Sequence, residues 1–231
     1  MARSKREFVP LPAAGDQAEK AEGDRSRGGK QRRLTQAERT ALSDTRMFNA
    51  AMMLISEHGA NRTTLKDICE QAGYSRGLAN YRFGSKEVFL QELLKHFNRA
   101  WVDQLSSYTD GRSGLDAFLH AVDALEHFLS EYHRYMRGGY IIWYESIGGD
   151  NEVRRQLKRN HEAYRRDVKL WLQQGVAEGT VLASVDAENF ATFYCSFVFG
   201  TIYQWLVNPE AIDLASFFAY FRNTVRDQLA V

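Results

Sequence analysis

Cysteine and proline are scarce in this chain, and each scarcity excludes something. The 231 residues hold two cysteines, Cys69 and Cys195, and no Cys-x-x-Cys pair. Disulfide scaffolds, zinc fingers and dithiol redox motifs are thereby excluded. Both cysteines sit in apolar helical patterns and are expected to be buried free thiols. Of three prolines only Pro209 lies beyond Pro12, so nothing forbids nearly continuous helix after the first residues. The glycine-rich phosphate loop, the Gly-x-Ser-x-Gly elbow and the His-Glu-x-x-His motif are missing, and the six histidines are scattered. Neither an enzyme nor a metal site or cofactor is expected. No apolar run approaches the length of a bilayer span, and the start has no apolar signal region. The expectation is a cytoplasmic protein without a membrane partner.

What is present is ordinary in amount and uneven in placement. Apolar residues make up 44% and charged residues 26%, a globular composition. A chain of this length buries one good core, or one core plus a small module. Formal net charge is +1, yet residues 1–100 carry eighteen basic and twelve acidic side chains against twelve and seventeen in residues 101–231. A basic front and an acidic remainder suit a nucleic-acid-facing end and a body that stays off the polyanion. Residues 1–34 read as a disordered basic tail, because prolines and glycines lie among charges with little to bury. Its segment Arg25–Arg33 holds five basic residues and no acid. Two uses of the tail stay open: a solubilising segment, or an arm that lies along DNA phosphates or enters a minor groove.

From Thr35 onward the pattern is helical. Phe48, Ala51, Leu54 and Ile55 recur at helical spacing and predict a helix over 36–58, stopped by Gly59 in a left-handed conformation. Thr64 with Asp67 three residues on predicts a capping box and a short helix over 65–72, ended by Gly73. Ser75 is expected to cap a helix over 76–82, with Phe83 packed at its end. Ser85 is expected to cap a fourth helix whose stripe is Val88, Phe89, Leu93, Leu94, Phe97 and Trp101. Two helices joined by a glycine-containing turn within twenty residues are a helix-turn-helix pattern. Beyond Tyr108, helices are predicted over 114–130, 131–147 (with a break near Gly138–Gly139), 151–178, 186–207 and 213–229. Asp150, Asp186 and Asp213 stand at three of the starts, and Gly179 follows a stop. The fold class is all-α: a three-helix unit with a helix-turn-helix at 35–84, followed by a larger helical body at 85–231.

The segment over 73–87, Gly-Tyr-Ser-Arg-Gly-Leu-Ala-Asn-Tyr-Arg-Phe-Gly-Ser-Lys-Glu, sets a glycine near a helix start among basic and aromatic side chains. With Phe48-Asn49-Ala50-Ala51 before Gly59, Thr63-Thr64, Ile68 and Gly73 to Gly77, it resembles the DNA-binding domain of the TetR family of bacterial transcriptional regulators. The resemblance covers residues 48–90 and implies the following roles. Thr64 and Lys86 match phosphate-contacting positions, and both stand at helix starts, which favour an anion. Ser75 joins this DNA-binding set. Lys66, Arg76 and Gly77 match positions facing the major groove, where Arg or Lys suits the O6 and N7 acceptors of guanine. A glycine costs about 1 kcal/mol of helix propensity, and there it allows close backbone approach to DNA. Tyr81 matches a position that reaches sugar or phosphate. The family most often has Tyr at the place of Asn80 and His at the place of Arg82. Both departures keep DNA contact and leave the operator sequence unreadable.

One short helix reads too few bases, so such proteins dimerise and read two half-sites. The resemblance implies a homodimer through the last two long helices. Residues 190–207 are apolar nearly all round, from Phe190 and Phe193 to Tyr203 and Leu206, and a helix apolar on every face must be buried on every face. A central helix of a monomeric bundle is the alternative. An aromatic-rich stretch, with Tyr140, Trp143, Tyr144 and mid-stretch Glu145, predicts the wall of a small-molecule site. Trp101, Phe118 and Tyr164 are expected to face it. Trp171, Tyr194 and Phe197 complete the candidate ligand set, with Asn160 and His161 as further polar candidates. The expected function is a repressor that leaves a palindromic double-stranded DNA operator when a small apolar or amphipathic effector binds. A ligand-dependent activator and an architectural DNA-binding protein without a ligand remain the alternatives.

Overall fold

The computed structural model describes residues 35–149 and 151–231; the tail over 1–34 and Asp150 lie outside the described residues. Within them the chain forms eight α-helices: α1 Gln36–His58, α2 Leu65–Gln71, α3 Leu78–Phe83, α4 Lys86–Thr109, α5 Gly114–Ser146, α6 Glu152–Glu178, α7 Ala187–Val207 and α8 Leu214–Leu229. A 3-10 turn, Pro209–Ala211, joins the last two. No strand occurs among the described residues. One isolated antiparallel bridge, Val181 to Ala230, ties the chain end to the turn after α6.

The helix starts follow from local chemistry. Thr35 with Glu38 and Thr64 with Asp67 form full capping boxes, each satisfying two N–H groups that the first turn leaves over. Ser85 accepts the Val88 N–H, and Asp186 accepts those of Glu188 and Asn189. Asn151, not the expected Asp150, caps α6 by accepting the Arg154 N–H at 2.9 Å. Asp213 stands at the start of α8 but accepts the Ser216 hydroxyl at 2.5 Å rather than a backbone donor. Gly179 ends α6 in the left-handed region. Gly59 ends α1 at positive φ with ψ 156°, the mirror-extended rather than the left-handed helical conformation expected.

Further sequence expectations need correction. The helices predicted over 114–130 and 131–147 are one unbroken helix of 33 residues, α5. Nothing local ends it, and Gly138 is a contact rather than a hinge: a Cβ there would lie 2.7 Å from the Met52 carbonyl oxygen of α1. Ser75 does not cap α3 with its side chain. Its carbonyl accepts the Leu78 N–H at 3.0 Å in a separate turn, and α3 begins two residues later than predicted, with Gly77 at its N-cap. The buried Cys69 thiol accepts the Ala79 N–H at 3.3 Å, so a core side chain serves a donor that a cap would otherwise serve. Val88 is exposed, because it lies in the first turn of α4, outside the face that packs on α1. Both cysteines are buried and unbridged, as expected.

Packing joins the N-terminal three helices to the body without a hinge. Phe48 of α1, Phe83 of α3 and Phe89 of α4 pack with ring centroids 5.0 to 5.9 Å apart, Phe83 and Phe89 edge to face and the other two pairs tilted. Such aromatic pairs add about 0.5–1.5 kcal/mol each beyond their area. Further along α4, Phe97 and Trp101 pack on Phe128 of α5 at 5.4 and 5.5 Å. Arg222 of α8 reaches Asp123 at 3.0 Å and Glu126 at 2.6 Å on α5, closing the bundle from the C-terminal side. α7 is long and apolar enough to cross a bilayer by length and composition alone, which corrects the expectation that no run approaches that length. It leaves Phe193, Tyr203 and Val207 exposed, and Tyr220 of α8 is 72% exposed.

Gly138→Ala should destabilise the fold by about 1–3 kcal/mol, because the added methyl meets backbone that cannot turn aside. Gly200→Ala, with open space at its Cβ, is the matched control on α7. Thermal melts of both variants check this, and equal melting points would contradict the close α1–α5 approach.

Candidate nucleic-acid interface and effector cavity

The turn between α2 and α3 is fixed by backbone bonds. The Tyr74 N–H donates to the Cys69 carbonyl at 2.8 Å, and Gly73 donates to Glu70 at 3.1 Å. On α3, Leu78, Ala79, Arg82 and Phe83 face inward, and Gly77, Asn80 and Tyr81 share the opposite, exposed face. Tyr81 is 91% exposed, the extreme among the large apolar side chains described. Thr64, Lys66, Ser75 and Arg76 are exposed beside it. The Asp67 carboxyl is held below its usual range by the Thr64 hydroxyl and backbone N–H, so the acid in this face is occupied within its own capping box. Arg76 pairs with Glu70 across an exposed gap, an interaction worth little in water.

Two of the predicted contact residues also hold the domain together. Arg82 is turned toward α1: its guanidinium donates to the Thr40 carbonyl at 3.2 Å and the Ser43 hydroxyl at 2.6 Å, and pairs with Asp44. Lys86 Nζ donates to the Asn61 carbonyl at 3.2 Å. Gly77 shows the opposite. Its φ is −91°, allowed to any residue, and a Cβ there would meet nothing within 4 Å. Neither backbone strain nor internal crowding requires a glycine at 77.

An apolar cavity of about 110 Å³ lies between α4, α5, α6 and α7 of the body. Five predicted ligand residues line it: Trp101, Trp143, Tyr164, Trp171 and Tyr194. The polar candidate Asn160 lines it too, with its side-chain oxygen accepting from Gln156 at 2.9 Å. Burial pushes the Tyr164 phenol up, and its hydroxyl donates to Asn98 Oδ1 at 2.6 Å. Sequence reasoning missed Asn98, Met136, Asp167, Cys195 and Phe199, which also line the cavity. Leu94 and Phe97 line it from the very stripe read as core; one apolar stripe serves both purposes and the pattern does not separate them.

Five predicted ligand residues lie elsewhere. Phe118 is fully buried behind Tyr194, with ring centroids 4.9 Å apart. Phe197 stacks on Phe217 and Phe221 of α8 at 5.3 and 4.8 Å. Tyr140 and Tyr144 line a second, open groove of about 710 Å³, with His161 and part of Trp143. Glu145 points away from both spaces. Its carboxylate accepts the N–H groups of Ala60 at 3.1 Å and Asn61 at 3.0 Å, between α1 and α2. It holds the helix-turn-helix to the body, a role that its neighbours in sequence gave no hint of.

Comparison with known proteins agrees with this geometry. Residues 48–93 match the model for bacterial regulatory proteins of the tetR family. The helix-turn-helix is that of the TetR family. It is 27% identical over 173 residues to the HTH-type transcriptional regulator TtgR of Pseudomonas putida, spanning 73% of this chain and 82% of that protein. Among solved structures it resembles NalD, the secondary repressor of the MexAB-OprM multidrug efflux pump in Pseudomonas aeruginosa, with a TM-score of 0.66 and 18% identity over 84% of this chain and 98% of that one. A transcriptional regulator from Saccharomonospora viridis in complex with choline superposes with a TM-score of 0.72 at 16% identity, over 83% and 99% of the two chains. At those identities the structures speak for the fold alone. At this level the protein is a DNA-binding transcriptional regulator with an N-terminal helix-turn-helix and a helical C-terminal domain.

Gly77→Ala should leave the melting point level or raise it by the equivalent of about 0.5–1 kcal/mol, since alanine favours the helix, while DNA affinity falls. Arg82→Ala should do the reverse in emphasis: a lower melting point, and a DNA-binding salt slope close to wild type. Melting curves and salt-dependent DNA titrations of the two variants separate the roles. Matching losses of stability in both would contradict the geometry.

Proposed function

We propose that this TetR-family protein is a homodimeric repressor, released from a palindromic operator when a small apolar or amphipathic effector enters the body. The observation that carries the reading is α4. Its first residues, Ser85 and Lys86, abut the helix-turn-helix, and its Leu94, Phe97, Asn98 and Trp101 line the cavity. One rigid rod of 24 residues, about 36 Å long, therefore has one end at the reading head and its middle at the cavity. An effector wedged against Trp101 tilts the rod, and a small tilt is amplified at its far end.

On the DNA side, Arg76, Lys66 and Gly77 are assigned to the major groove. Thr64, Ser75, Asn80, Tyr81 and Lys86 are assigned to the backbone and its flanks. Arg82 is assigned to orienting α3 from behind. The exposed Phe193, Tyr203, Val207 and Tyr220 support a partner subunit on α7 and α8, since a patch of that kind marks an interaction surface. Two subunits set their α3 helices to half-sites about 34 Å apart. The choline found in the Saccharomonospora neighbour and the repressor role of NalD agree with an effector-released repressor. A cytoplasmic location accompanies this reading.

Release requires the effector to prefer the non-binding state. A hundredfold loss of DNA affinity corresponds to about 2.7 kcal/mol of coupling. The test begins with an operator selected from genomic DNA. With six to ten phosphate contacts per dimer, affinity should fall roughly 10³–10⁵-fold between 50 and 200 mM salt. Lys86→Ala should lower the salt slope by about one unit for each phosphate no longer neutralised. Arg76→Ala should cost about 1–3 kcal/mol and relax preference at one base per half-site. For the sensor half, Trp143→Ala should abolish release by a compound selected for raising the wild-type melting point, with effector-free operator affinity retained. A mutant that no longer binds operator without effector assigns Trp143 to the core.

A further inference from the structure

The apolar cavity and the open groove share two walls, Trp143 and Phe199. The cavity side is almost wholly apolar, with Asp167 the one acid in its lining. The groove side is different in kind. Arg154, Arg155, Lys158 and Arg165 line it, and no carboxylate does. Nearby acids only partly answer those cations. Glu152 accepts from Arg155 Nε at 2.7 Å, and Glu162 lies 3.8 Å from Lys158. Arg154 donates to the Gly149 carbonyl at 3.2 Å. Arg165 makes no ion pair among the described residues, although it is close enough to His161 and Cys195 to act on both electrostatically. Glu145, the acid nearest in sequence to the aromatic wall, is engaged with Ala60 and Asn61 instead.

Two more polar atoms stand at the same boundary. The Trp143 indole N–H and His161 Nε2 are buried without a hydrogen-bond partner among the described residues. Their rings meet edge to face at 5.7 Å. A buried donor left unpaired costs about 1–3 kcal/mol, and such groups in a native structure are answered by something. An unanswered indole N–H and a guanidinium without an ion pair among the described residues, at the mouth of an apolar aromatic cavity, call for an acceptor that carries charge and is joined to an apolar body.

We infer that the effector is an amphipathic organic anion, its carboxylate, sulfonate or phosphate head held in the groove by Arg165, Lys158 and the Trp143 N–H, and its apolar body lying past Phe199 in the cavity. This deepens the reading of the cavity as the effector site and rests on it. Charge-assisted hydrogen bonds are the strong ones, so head-group charge, and not apolar area alone, sets affinity. Neutral and cationic molecules of the same shape bind more weakly.

The test uses a matched probe pair on the full-length protein: 1-anilinonaphthalene-8-sulfonate, which is anionic, and N-phenyl-1-naphthylamine, which shares its rings without the charge. The anionic probe should bind about tenfold more tightly, equivalent to about 1.4 kcal/mol. Arg165→Gln and Lys158→Gln should each weaken the anionic probe several-fold, and Trp143→Phe should weaken it while keeping a ring in the wall. The neutral probe, titrated against the same variants, reports whether the cavity survives the substitutions. Displacement by decanoate and by decyl phosphate tells which head the groove prefers, with decanol and decyltrimethylammonium as neutral and cationic arms. If the neutral probe binds and the anionic one is no tighter, or ignores the arginine and lysine changes, the anion site is wrong and the cavity reading stands. Stronger displacement by decyltrimethylammonium than by decanoate also overturns the inference. Failure of both probes to bind overturns the cavity reading with it.

Discussion

Two packings of α4, one at each end of its apolar stripe, hold this molecule together. Near its start Phe89 closes the small N-terminal core against Phe48 and Phe83. Two and three turns later Phe97 and Trp101 pack on Phe128 of the body. A three-helix unit of some fifty residues is marginal alone, and α2 and α3 are short enough to melt outside a tertiary setting. The shared helix lends the small unit the larger core. It also means that the unit which faces DNA cannot shift without moving a wall of the cavity.

Polar contacts reinforce that coupling at chosen points. The Glu145 carboxylate takes two backbone N–H groups just before α2, and the Glu87 carboxylate takes the Glu152 N–H at the start of α6 at 3.1 Å. The first joins body to head, the second fastens the start of α4, beside the head, to α6; both are charge-assisted bonds, which are stronger than neutral ones. Gly138 lets α5 approach the Met52 carbonyl more closely than any side chain permits. The head is thus fastened to the body by side-chain contacts and close packing as well as by the continuous α4.

Much of the candidate site was legible, for a definite reason. Helix caps depend on residues three apart, so Thr64 with Asp67 and Ser85 could be placed from sequence alone. The same locality made the exposed set around Tyr81 readable, because α2 and α3 are one turn apart in sequence. Gly77 is the sharpest case: it was singled out from sequence, and the fold itself requires no glycine there. Arg82 was harder. Its sequence neighbours gave it the character of a DNA contact, and its Asp44 partner lies 38 residues away.

The order of residues was enough for the all-α class, the helix-turn-helix, the eight helices' limits to within a few residues except across α5, and the two buried thiols. These follow from spacing, capping and the near absence of proline, all of which act within one turn of helix. It took the folded chain to show that the helices expected over 114–130 and 131–147 are continuous, that Glu145 clasps the head instead of facing a ligand, and that Phe118 and Phe197 are packing while Phe199 is wall. Folding also gathered Trp143, His161 and Arg165 at one mouth. An aromatic residue on a helix reads the same whether its face meets a neighbour, a partner or a cavity. Which of these it meets is set by crossings between helices distant in sequence, and those crossings leave no periodic trace in the chain.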